Sequence, residues 1–143
     1  IQECLSKLTE NSKPKWGILT SQHMLEHLEQ GYRIMSGEIQ DFEIATPEKI
    51  LDIVHNSLYN YDKFPMGTKF PTMKEDALEE LIYPNLETAK AKFIEAREQY
   101  IIFFKENPEA ILKNMVFGEL NKYESYLLER KHLNHHFEQF ELI

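Results

Sequence analysis

The chain has 143 residues, a formal net charge of −8, a pI near 5.3 and 42% hydrophobic residues, which suits a single domain over residues 1–143 and is too short for two ordinary ones. The acidic balance offers no basic stripe to a nucleic acid, no apolar run approaches a membrane span, and the polar start Ile1-Gln2-Glu3-Cys4 is not a secretory signal. Cys4 is the only cysteine, so there is no internal disulfide and a reducing cytoplasm is expected.

Helical periodicity begins at Thr20, a cap residue followed by Met24, Leu28, Gly31, Tyr32 and Met35 on one face, and Ser36-Gly37 stops it. Thr46-Pro47-Glu48 restarts a helix with a cap, a first-turn proline and an acidic first turn, and Ile50, Leu51, Val54 and Leu58 form its buried side. Between Asn60 and Pro84 the pattern breaks at Pro65, Gly67, Pro71 and Pro84. This predicts a long loop with at most a short helix near Thr72-Met73-Lys74-Glu75. So long a connection reads as a crossover walling a site, with Phe64, Met66 and Phe70 as apolar lining, or as a plain cover for one side of the bundle.

Asn85 caps a third long helix, with Ala89, Phe93, Ala96, Tyr100 and Phe103-Phe104 inward, running to Asn107-Pro108. The last helix starts at Asn121-Lys122-Tyr123-Glu124, which has the form of a capping box. Tyr123, Tyr126, Arg130, Leu133, Phe137 and Phe140 then follow at spacings of three and four.

Three of six histidines lie in His132-Leu133-Asn134-His135-His136. At about 100° per residue from Leu133, His136 and His132 flank the apolar stripe, roughly 60° and 100° to one side, while His135 lies about 160° away, toward water or a partner subunit. Four residues apart, His132 and His136 can present two imidazoles to one ion. A catalytic site of this type needs a third protein ligand. On the first long helix His27 sits about 100° and His23 about 140° from Leu28, so His27 flanks that stripe. His23 and His27 are also four apart and form a competing two-ligand arrangement, and histidines beside an apolar face also serve as ordinary hydrogen-bonded rim residues. His55 has no partner at ligand spacing, and Cys4 has no evident base beside it. Glu129, one turn before His132 and near the stripe, is an inward carboxylate that requires a partner.

The segment Trp16-Gly17-Ile18-Leu19-Thr20-Ser21-Gln22-His23-Met24-Leu25-Glu26-His27-Leu28, with the late His132-x-x-x-His136-x-x-Gln139, resembles the DinB/YfiT-like superfamily of metalloenzymes. The similarity is closer to an uncharacterised branch with a Trp-Gly start, a Phe-Gly segment (here Phe117-Gly118) and a His-x-x-His-His-x-x-Gln-Phe ending. Ile18 stands where Met is common, and Asn114-Met115 replaces a His-Pro or Asn-Pro. Neither falls on a ligand position. The resemblance implies an all-α fold, a DinB-like four-helix bundle of up-down-down-up order with one long crossover, and His27, His132 and His136 as ligands of a divalent ion, Zn, Ni or Fe.

The functional expectation is a metal-dependent hydrolase or thiol-dependent transferase acting on a small molecule. Glu129 is then the candidate for supporting a ligand or moving a proton, unless it pairs with Arg33 or with the neighbours of Arg130. The alternatives are a non-catalytic, metal-stabilised binding or interaction module and a bundle with a vestigial site. Gln139 is expected to hydrogen-bond near the site or across a subunit contact. The chain is expected to form a homodimer through helix faces.

Overall fold

In the computed structural model, which describes residues 1–60, 63–66 and 77–143, the two segments of clearest helical periodicity pack face to face. The elements in chain order are α1 (Gln2–Lys7), α2 (Ser21–Met35), α3 (Glu48–Asn56) with a 3-10 turn at Ser57–Tyr59, α4 (Leu86–Glu106), β1 (Leu112–Asn114), β2 (Gly118–Leu120) and α5 (Lys122–Gln139). The expected all-α four-helix bundle of up-down-down-up order is thus overturned. Among the described residues there are five helices and a two-stranded antiparallel ribbon.

The helix starts follow the cap chemistry. Thr20 accepts from the His23 amide, Asn85 from Thr88, and Asn121 from Tyr123 and Glu124 while Glu124 accepts in return from Asn121. At α3 the cap position is Pro47, and Thr46 instead donates its hydroxyl to the Val116 carbonyl at 2.7 Å, tying the start of α3 to the ribbon turn. Gly37, at φ +79, ends α2 in a conformation that disfavours side chains.

Met24, Leu28, Tyr32 and Met35 on α2 and Ala89, Phe93, Ala96, Tyr100 and Phe104 on α4 are all buried, as the periodicity predicts. Tyr32 meets Phe93 edge-on, with ring centroids 5.7 Å apart, and Tyr100 at 5.5 Å. Large apolar side chains buried this fully each contribute about 1.5–3 kcal/mol. The expected buried side of α3 is only half realised: Leu58 is buried and Val54 packs on the core, but Ile50 is exposed and no α3 residue is fully buried. A nine-residue helix at the rim is covered on too little of its surface.

The ribbon pairs Leu112 with Leu120, Lys113 with Glu119 and Asn114 with Gly118. Asn114 Oδ1 accepts from the Val116 and Phe117 amides at 2.9 and 3.0 Å, and Gly118 adopts φ +76 to re-enter the second strand. Strands of three residues are too short to show the alternation by which strands are read.

The inward face of α5 also differs from the apolar stripe. Tyr123, Tyr126 and Arg130 face solvent, whereas Glu124, Ser125, Leu128, Glu129, His136, Phe137 and Gln139 are buried. The tyrosines carry a polar tip that favours the surface, while each carboxylate turned inward finds fixed donors. Of the loop residues, Phe64 stacks on Phe117 at 6.0 Å, and Met66 is 74% exposed rather than lining a site among the described residues. Phe70 and Thr72-Met73-Lys74-Glu75 lie outside the described residues.

Candidate metal centre

Two helices bring three imidazoles together. His27 comes from α2, two turns after its cap, and His132 and His136 come from successive turns of α5. His27 Nε2 and His132 Nε2 are 2.8 Å apart, the three ring centroids are separated by 4.8, 4.9 and 4.9 Å, and one ligand nitrogen from each lies within 4.8 Å of the others. Gly31, one turn beyond His27, lies against the His132 ring: a Cβ there would sit 3.5 Å from His132 Cε1, an ordinary van der Waals contact.

The electrostatics favour neutral rings. Burial, reinforced by the neighbouring histidines, lowers His27 to about 4 and His136 to about 3, and it holds His132 well below the ordinary value of 6.5. Neutral imidazoles carry the lone pair that a metal needs. With Zn–N bonds of about 2.1 Å, tetrahedral ligand nitrogens lie roughly 3.4 Å apart. The nitrogens, 2.8 Å apart for His27 and His132 and all within 4.8 Å of one another, lie around that value, so the donor set is compatible with a divalent ion.

The other histidines are occupied elsewhere. His23 Nδ1 pairs with Thr20 Oγ1 at 2.6 Å and His23 Nε2 with the Glu79 carbonyl at 3.0 Å, so the two-ligand arrangement of His23 with His27 is not formed. His135, read as facing water or a partner subunit, is instead half-buried between Trp16 and Phe64, with ring centroids at 5.6 and 6.3 Å. His55 links Glu124 and the Phe117 carbonyl, each at 2.8 Å.

Glu129 is buried and accepts from Tyr32 Oη at 2.9 Å and from Arg97 Nε at 3.0 Å. Arg33 pairs with Glu38 instead. Glu129 shares with His132 a gap lined by Leu28, Tyr32, Met35 and Leu133 that has no space for water. It therefore joins α2, α4 and α5 beside a candidate ligand.

Several groups escape the sequence reading. Glu26 is buried and accepts from the Ile82 and Tyr83 amides at 2.8 and 3.1 Å, while Gln22 donates to the Tyr83 carbonyl at 2.7 Å, so the polar side of α2 clamps residues 79–83. Gln139 meets its expectation of a bond near the site, pairing with His136 Nδ1 at 2.8 Å and donating to the Trp16 carbonyl at 2.8 Å. The distant partners of Gln22 and Glu26, and the Gln139 link to Trp16, leave no local signal.

The His55–Glu124 pair gives a pH prediction. Burial lowers His55, but the Glu124 hydrogen bond, the Phe117 carbonyl and the Glu124 charge outweigh it, so the group lies above 6.5. Burial raises Glu124, but Tyr59, the Asn121 amide and His55 together bring it below 4.5. The stabilisation from His55 is full below pH 6.5 and is lost as pH rises through its folded value. That from Glu124 is full above pH 4.5 and is lost as pH falls through its folded value. The triad acts with opposite sign, destabilising the fold as pH falls below 6.5, so the pair must be read as a difference. The Tm gap between wild type and His55→Gln should be widest between about pH 4.5 and 6.5 and shrink as the pH rises above 6.5 through the raised value of His55. A gap that grows with pH would contradict the assignment.

No family model, curated protein or solved structure matches this chain.

Proposed function

We propose that the chain is a metal-dependent enzyme of the DinB/YfiT-like kind, a hydrolase or thiol-dependent transferase acting on a small molecule, with His27, His132 and His136 holding a divalent ion. The observation that supports this most is the convergence of three imidazoles from two helices, which burial keeps neutral, with no carboxylate or thiolate among the described residues joining the donor set. Three nitrogen ligands suit Zn²⁺, Ni²⁺ or Fe²⁺. When bound, such an ion lowers the pKa of a coordinated water or takes a substrate thiolate or oxyanion in its place. The protein's part is to hold the rings neutral and oriented. Burial provides the first, and the contacts of α2 with α5 provide the second.

One observation favours a second reading, a non-catalytic module whose ion only stabilises the fold. The gap shared by His132 and Glu129 admits no water, so it offers no cleft for substrate on that side. Elemental analysis of protein purified without added metal, followed by assays of the loaded protein against ester, amide and thiol-transfer substrates, separates the two. Stoichiometric metal with turnover that His27→Ala abolishes supports the enzyme. Stoichiometric metal that raises Tm without any turnover supports the module, and absence of binding to Zn²⁺, Ni²⁺ and Fe²⁺ rejects both.

A further inference from the structure

The last turn of α5 is joined to the segment ahead of α2 by contacts that converge on Gln139. The Lys15 amide donates to the Gln139 carbonyl at 2.7 Å, Gln139 Nε2 donates to the Trp16 carbonyl at 2.8 Å, and Gln139 Oε1 lies 2.8 Å from His136 Nδ1. Gln139 is buried, at 4% exposure, and Gly17, at φ +78, would bring a Cβ within 3.2 Å of Gln139 Nε2. The strap around Trp16 thus lies closer to the Gln139 amide than a side chain at residue 17 would comfortably permit.

The donors and acceptors in this chain are determined by one group. A backbone carbonyl only accepts, so the side of the Gln139 amide facing Trp16 must be the NH₂, and the side facing His136 must be the oxygen. An amide oxygen also only accepts, so His136 Nδ1 must carry the hydrogen. The lone pair is then left on Nε2.

We propose that Gln139 is a positioning residue that holds His136 as its Nδ1–H tautomer with Nε2 free to bind, and that through Gln139 the strap Lys15–Gly17 is coupled to metal occupancy. This rests on the reading that His136 is a metal ligand. Outer partners of this kind orient a ligand ring and raise its basicity, and their loss typically costs about 10–100-fold in metal affinity. Coupling is reciprocal, so whatever tightens the His136–Gln139 bond also holds the strap. The strap carries Trp16, the only tryptophan, whose ring packs edge-on against His135 at 5.6 Å.

Two substitutions separate the two arms. Gln139→Leu removes both bonds and should weaken Zn²⁺ or Co²⁺ binding about 10–100-fold. Gln139→Glu keeps an acceptor for Nδ1–H but loses the donor to Trp16. It should retain affinity within a few-fold while loosening the strap, which then keeps only the bond from the Lys15 amide to the main-chain carbonyl of residue 139, seen as a change in Trp16 emission and faster proteolysis near Lys13 and Lys15. The tautomer is read without metal, from the ¹⁵N shifts of His136 in the metal-free protein: Nδ1–H in wild type and Gln139→Glu, and a shift toward Nε2–H in Gln139→Leu. If wild type binds no metal, the metal reading itself fails. If wild type binds and both variants bind equally, with unchanged His136 shifts and Trp16 emission, Gln139 is only a packing residue and the proposal is overturned.

Discussion

Alanine at His136, or at His27, is expected to weaken divalent-metal binding by on the order of 100-fold or more, because loss of a ligand should cost at least as much as loss of an outer partner. Alanine at His23 or His135 is expected to leave the affinity within a few-fold. The contrast comes from the contacts: His23 is spent on Thr20 and Glu79 and His135 lies between Trp16 and Phe64, whereas the three other rings present nitrogens to a common point. Titration of metal-free protein with Zn²⁺ by calorimetry, alongside the thermal stability of each metal-free variant, measures this. Metal retained by His27→Ala and His136→Ala but lost from His23→Ala or His135→Ala would sink the assignment.

What the sequence makes legible is what local spacing encodes. Thr20 and Asn121 announce helix starts, and the positions of His27, His132 and His136 beside their apolar neighbours place three rings on facing sides of α2 and α5, which is where they meet. The ribbon is illegible because its strands are three residues long and its turn depends on Asn114 Oδ1 reaching two amides. The inward face of α5 is misread for a different reason. Tyr123 and Tyr126 count as apolar in a periodicity but sit at the surface, while Glu124 is turned inward to His55; Glu129, read as inward, does face inward, to Tyr32 and Arg97 on other helices. A buried carboxylate can be suspected from its position; its partners, 32 and 97 residues away in sequence for Glu129, cannot. The same limit applies to Gln139, whose spacing from His136 suggests a local bond but whose link to Trp16 spans 123 residues.

Arg97→Met is expected to destabilise the fold by about 3 kcal/mol, because removing one partner leaves a buried carboxylate with its charge uncompensated. Glu129 is only 6% exposed, and its Oε1 takes both the Arg97 Nε–H at 3.0 Å and the Tyr32 hydroxyl at 2.9 Å. The Tyr32 hydroxyl is itself pushed above its ordinary range, first by burial and then by the Glu129 charge, so it remains a neutral donor that cannot replace the guanidinium. The Arg97 side chain is about one-third exposed, which screens the pair and holds the expected loss at the lower end of the range for buried ion pairs. At this chain length that corresponds to a fall in Tm of roughly 10 °C. The double variant Arg97→Met/Glu129→Leu removes the stranded charge and should recover part of the loss, since apolar replacement of a buried pair is often neutral or better. Equilibrium denaturation of the four proteins in this cycle tests it. A loss below about 1 kcal/mol for Arg97→Met, or a double variant less stable than the sum of the two single changes, would show that Arg97 does not compensate Glu129.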